Sequence, residues 1–240
     1  MVIDENGIPI FDWEKVIIFP DGAQEIGQDY EINPKDFLEF ANTDLQEGDD
    51  RGLINALSNS KRAIHCVTEK LLSAIDIKPR NNQFPSKMEI FEDLGIIAPR
   101  IIRKVNSVRN LLEHEYKLPS KEVVEDAVDI ATLYVSVIEG VLETVWSDFY
   151  IIENEESKDL GLLEEAVDFS FDKETKSWEA YVFVSRENKK ADFEIKGITS
   201  SDKELYRSIW RMCFAVDKEL QEEKALEEFS KNINLLWDKK

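Results

Sequence analysis

Along the chain, apolar residues recur first at strand spacing, then at helical spacing, then at strand spacing again, and finally at helical spacing. Ile8 to Phe11 and Val16 to Phe19 are short apolar pieces interrupted by Pro9 and closed by Pro20-Asp21-Gly22, a turn signal, so they predict two short strands. After Asn33-Pro34, the positions Phe37, Leu38, Phe40, Ala41 and Leu45 predict a short helix over 35–45. From Arg51 to Ile75, Leu53, Leu57, Ile64, Val67, Leu71 and Ile75 fall in one stripe and predict a long amphipathic helix. A polar loop with Pro79 and Pro85 follows, then a helical piece over 87–94. Ile97, Ile101, Val105, Val108 and Leu112 predict a second long helix ending near His114. Ser120 is placed as the N-cap of a third, with Val124, Ala127, Val128, Ala131, Val135, Ile138, Leu142 and Val145 as its buried stripe.

Downstream, Val167 to Asp172, Trp178 to Ser185 and Ala191 to Ile198 carry the alternating or β-branched pattern of strands and predict a three-stranded meander. Ser201 to Glu204 has the form of a capping box, and Leu205, Ile209, Met212, Val216 and Leu220 continue at helical spacing towards Trp237. The expected fold class is therefore mainly α: an antiparallel helical bundle over 35–150, preceded by a β or irregular segment over 1–34. A small antiparallel meander and C-terminal helices over 160–240 are expected to pack on it.

Composition narrows the function classes. The 240 residues hold no apolar run near the roughly 20 residues that span a bilayer, so a soluble, cytoplasmic protein without membrane contact is expected. Two cysteines, Cys66 and Cys213, and two histidines support neither a disulfide framework nor a thiolate zinc site, and no metal or cofactor is called for. Thirty basic residues against 50 acidic ones give a net charge of -20, which argues against a polyanionic partner until the charge is resolved by segment. Residues 1–50 carry 2 basic and 14 acidic side chains, residues 51–120 carry 12 and 7, and residues 121–240 carry 16 and 29. One basic island stands between two acidic flanks.

Within the island lies the one stretch with catalytic potential. No phosphate-cradling glycine loop, Gly-x-Ser-x-Gly elbow or His-Glu-x-x-His pair occurs. On an ideal helix Arg103, Ser107, Asn110 and His114 fall within about 60° of one another, away from the apolar stripe, with Arg100, Lys104 and Arg109 adding charge. Arg109-Asn110, followed by His114, resembles the signature of the HEPN superfamily of helical-bundle proteins, many of which are ribonucleases. Arg51 to His65 looks like the earlier helix of a HEPN branch, and Leu112-Glu113-His114-Glu115-Tyr116 like its signature region. The resemblance covers roughly residues 35–150.

That resemblance implies metal-independent endoribonuclease activity with Arg109, Asn110 and His114 as catalytic residues, and Arg103, Ser107, Lys61 and His65 on the substrate. It places the protein in a toxin–antitoxin, antiviral or stress setting, with Tyr116 as a possible adenylylation target of a nucleotidyltransferase antitoxin. RNA brings its own nucleophile, the 2′-hydroxyl. Histidine can take that proton or supply one to the departing 5′-oxygen, and arginine can hold the phosphate, leaving 2′,3′-cyclic phosphate and 5′-hydroxyl ends. Five helical residues separate Arg109 from His114 by about 140°, so one chain does not aim both at one phosphate. HEPN proteins are generally dimers, and a homodimer with a composite site would supply the convergence. Two rival readings stand beside it: a non-catalytic HEPN protein that binds RNA, nucleotide or a protein partner through the same face, and a dimerisation or antitoxin-like module whose acidic termini mask a basic groove on a partner or on the bundle itself.

Overall fold

The computed structural model describes residues 2–3, 9–96, 118–153, 166–183, 191–216 and 219–239. These divide into two compact units, one of residues 25–144 and one that joins residues 1–24 to 145–240.

The first unit is helical. α1 (Pro34–Glu47) starts after Asn33, whose N–H donates to Asp36 Oδ2 at 2.7 Å, closing a capping box. Gly48, at φ 71°, ends it in the left-handed region that a residue without Cβ enters at no cost. α2 (Asp50–Ala74) begins at once, its Gly52 N–H donating to the Asp49 carboxylate at 2.7 Å. A Cβ on Gly52 would lie 2.4 Å from the Asp44 carbonyl oxygen, so the two helices meet there backbone to backbone. α3 (Phe84–Asp93) is short, and α4 (Lys121–Glu143) is capped by Ser120, whose hydroxyl accepts from Val123 N–H. Ala41 of α1, Leu53, Ala56 and Leu57 of α2, and Val124, Ala127 and Val128 of α4 make one dry cluster. Small residues at these positions let three helices approach closely.

The second unit corrects the mainly α expectation. A two-residue pairing of β1 (Val2–Ile3) with β2 (Pro9–Ile10) precedes a five-stranded antiparallel sheet. Its order is β3 (Val16–Gln24), β4 (Val145–Glu153), β5 (Ala166–Asp172), β6 (Ser177–Phe183) and β7 (Phe193–Ile198), each strand beside the next in sequence. With six helices described beside this sheet, the chain is a mixed α/β protein rather than a helical bundle with an appendage. The expected meander is the β5–β7 half of the sheet. The helix expected to run on towards residue 150 stops at Glu143 because Val145 to Ile152 buries alternate positions and pairs with β3 and β5. Val145 fits both periods, i+3 from Leu142 and first of an alternating run, which hides the boundary.

Pro20-Asp21-Gly22 is not a turn either. It lies inside β3, where the register to β4 shifts on both sides of Gly22, so the breakers make a bulge. A Cβ at Gly22 would sit 3.1 Å from Asp148 Oδ2, so a larger residue there would have to move the Asp148 side chain by a few tenths of an ångström. The C-terminal run likewise divides into α5 (Lys203–Ala215) and α6 (Glu219–Trp237). The N-cap of α5 is Asp202 rather than Ser201, and Asp202 Oδ2 accepts from Thr199 N–H at 3.0 Å instead of closing the expected box.

One sheet face is packed by these helices through rings. Phe149 stacks on Phe169 with centroids 5.1 Å apart, Trp178 meets Trp210 of α5 at 5.0 Å and 73°, and Phe169 meets Phe229 of α6 at 5.6 Å. The opposite face carries a cross-strand row of Phe19, Tyr150, Asp168, Tyr181 and Glu194.

Candidate functional site

α2 divides its circumference cleanly. Leu53, Leu57, Ile64, Val67 and Leu71 are buried, while Asn55, Ser58, Lys61, Arg62, His65 and Glu69 occupy the other side at i, i+3 and i+4 spacing. This polar arc runs between α1 on one edge and α3 on the other.

On the α3 edge stand the two site candidates that fall among the described residues. His65 is half-buried, its imidazole stacked on the buried Phe84 ring with centroids 4.7 Å apart and planes within 3°. Lys61 is also half-buried one turn earlier. One turn later Glu69 pairs with Lys87 of α3. The stack holds the imidazole plane parallel to the Phe84 ring. Arg103, Ser107, Arg109, Asn110, His114 and Tyr116 lie outside the described residues, so the structure brings together only Lys61 and His65 of the expected set.

On the α1 edge is a hydrogen-bonded chain that the sequence reading missed. Asn59 Nδ2 donates to Asp44 Oδ2 at 2.8 Å, and Arg62 Nη1 donates to Asn59 Oδ1 at 3.0 Å. The amide therefore spends each end on an ion, which fixes its orientation and those of its two neighbours. These side chains border a cavity of about 460 Å³ whose rim is completed by Phe40, Thr43, Asn55 and Ser58.

A third feature lies between α2 and α4. Lys70, about nine-tenths buried, faces Glu139 at 3.6 Å, and Glu139 also meets Lys35 at 3.0 Å. The hydrogen bond to Glu139, ahead of simple attraction, pushes the Lys35 ammonium above the ordinary lysine range. Burial pushes the nearby Cys66 thiol up, so it is not a ready nucleophile. Below this cluster Tyr134 shares a 2.9 Å hydrogen bond with Thr68, and burial holds its phenol far above the usual range. The signal for the ion pair was present in the sequence: Glu139 lies four residues after Val135 and three before Leu142, on the apolar stripe itself. A carboxylate at that position needs a buried cation opposite.

Among the described residues no group of three histidine, cysteine or carboxylate side chains is arranged to hold a metal ion, and no helix is long and apolar enough to cross a membrane. No family model, curated protein or solved structure matches this chain. Its chemistry is read from its own residues.

Proposed function

We propose that the helical unit is a metal-independent endoribonuclease of HEPN type, acting as a homodimer on cytoplasmic RNA in a defence, stress or toxin–antitoxin role. The observation that carries the reading is the setting of the Arg109-Asn110-x3-His114 sequence. It lies between α3 and the Ser120-capped α4, and α4 packs with α2, the helix whose polar arc presents Lys61 and His65.

The chemistry follows from the residue types. His114 removes the 2′-hydroxyl proton or protonates the leaving 5′-oxygen, Arg109 neutralises the phosphorane, and Asn110 orients one of them. The Lys61 side of α2 offers positive charge to the flanking backbone. Self-association has a supporting feature in α4, where Ile130, Leu133, Val137 and Val141 follow one another at i+3 or i+4. Leu133 is 67% and Val137 49% exposed, and a Cβ added at the adjacent Gly140 would meet nothing within 4 Å. A stripe of this kind on an otherwise acidic chain is suited to a second copy of itself.

Incubation of the purified chain with RNA in EDTA is expected to yield 2′,3′-cyclic phosphate ends, and His114→Ala to remove the activity. Full activity in that variant, or RNA bound without cleavage by the wild type, overturns the catalytic reading. Light scattering after size exclusion should give twice the chain mass, reduced to one by Leu133→Asp with Val137→Asp.

A further inference from the structure

The cavity between α1 and α2 is distinct from the edge that carries Lys61 and His65, and the proposed cleavage chemistry makes no use of it. Its polar groups are linked by hydrogen bonds. Asp44, Asn59 and Arg62 form a chain in which the amide occupies the centre, leaving a carboxylate acceptor at one end and guanidinium donors at the other. Arg62 gives one N–H to Asn59 and keeps the remainder of its fork for a ligand. Asp44 accepts from Asn59 at Oδ2, and its Oδ1 has a full set of lone pairs to offer.

The two hydroxyls on the rim are already committed as donors. Ser58 Oγ donates to the Ile54 carbonyl at 2.8 Å and Thr43 Oγ1 to the Glu39 carbonyl at 3.0 Å. They present only lone pairs to the cavity. Phe40 is 46% exposed, yet its ring is braced edge-on by Phe37 with centroids 6.3 Å apart and planes at 89°. An exposed ring held in place is a stacking platform rather than a piece of core.

The rim charges of Asp44 and Arg62 balance, so the cavity is not a phosphate site. It suits a flat, neutral ligand that carries an acceptor and donors along one edge. At about 460 Å³ it has the size of a small-molecule site. Among nucleobases, guanine has the edge that uses both ends fully. Its O6 accepts from a guanidinium, while N1–H and the N2 amino group donate together to one carboxylate. Adenine and cytosine each offer the carboxylate a single amino group, and uracil a single ring N–H.

We propose that the cavity bordered by Asp44, Asn59, Arg62 and Phe40 binds an unpaired guanine base, with Phe40 stacking on its face. The inference rests on the RNA reading for its substrate class, and it makes this cavity a base-specificity subsite for that substrate. Asn59 is a positioning residue, because it holds Asp44 and Arg62 at their separation and need not touch the base.

The test is calorimetric titration of the full chain with GMP, AMP, CMP and UMP, with each variant's fold checked by circular dichroism. GMP should bind at least about tenfold more tightly than the other three, a margin in keeping with one bidentate base contact. Asp44→Asn, nearly isosteric, should abolish that preference without unfolding the helix pair, and Arg62→Gln should weaken GMP about tenfold. Phe40→Leu should weaken all four nucleotides together, since every base has a face to stack. Equal affinity for the four, no GMP binding at millimolar concentration, or an unchanged preference in Asp44→Asn overturns the proposal. The two readings fail separately: cleavage of RNA without GMP binding removes the guanine site alone, whereas selective GMP binding by a chain that cleaves nothing removes the nuclease alone.

Discussion

The two units fill their interiors with different chemistry. In the sheet unit Phe149, Phe169, Phe171, Trp178, Trp210 and Phe229 pack ring against ring, and even the indole nitrogens of Trp178 and Trp210 have no hydrogen-bond partner. The helical unit buries a lysine, a carboxylate and an amide among its alanines and leucines: Lys70, Glu139 and Asn59. Between its sheet and helices the first is packed ring on ring, and its buried polar side chains, such as Tyr206 and Ser208, bond to backbone carbonyls rather than to charges. The second accepts desolvation cost to place charged groups in fixed geometry, which is what a recognition surface requires.

The sharpest way to break the comparison is to remove a ring. Trp178→Ala should lower the unfolding free energy by about 4 kcal/mol, read from urea denaturation, as a fully buried indole leaves a large void. Trp178→Phe should cost well under half of that, because the indole N–H has no bond to lose. Equal losses in the two variants would mean that the nitrogen is engaged and that the sheet core depends on a polar contact.

The helical unit should behave in the opposite way. Glu139→Ala leaves the buried Lys70 ammonium only the solvent-exposed Asp29 carboxylate, 3.9 Å away, and should cost about 3 kcal/mol. Replacing both partners, Lys70→Met with Glu139→Leu, should restore most of that loss, since a dry pair avoids desolvation altogether. If the double variant is as unstable as the single one, the pair stabilises the fold directly and the contrast between the two interiors disappears.

How far these interiors were legible in the sequence follows the same division. Among the described residues, the helices of the first unit were read within one or two residues at most ends, because Leu53, Leu57, Ile64 and their successors keep one period over many turns and Asn33-Pro34 and Ser120 mark two of the starts. The sheet was read in part. Val167, Trp178 and Ile195 announce strands, but β4 was masked by the shared period at Val145, and Pro20 to Gly22 carries turn chemistry inside a strand. Pairing of β3 with β4 joins residues more than 120 positions apart, which no local pattern encodes. Of the expected site, only Lys61 and His65 can be located, and the Asp44–Asn59–Arg62 chain was invisible because it joins two helices through one amide. Local spacing reveals which residues share a face, not which faces meet.

The smallest effect, and the one that tests whether the sheet unit is free of functional charge, concerns Asp168. It stands between Tyr150 and Tyr181 on the open face, where burial first, and the charges of Asp21 and Asp148 next, push its carboxyl up to about 6. In the unfolded chain the same group titrates near 3.9. Between pH 4 and pH 6 the folded protein therefore keeps a proton that the unfolded chain releases, so stability falls as pH rises through that window and the penalty is complete above pH 6. Asp168→Asn removes the penalty. It should gain about 1 kcal/mol at pH 7, reduced by solvent on the open side of the carboxyl, and nothing at pH 3.5. Urea midpoints across this range, compared between wild type and variant, should converge at low pH and separate above pH 6. Curves that stay parallel throughout would show that Asp168 is already compensated by a cation, and the open face of the sheet would then belong with the helical unit as a surface that organises charge.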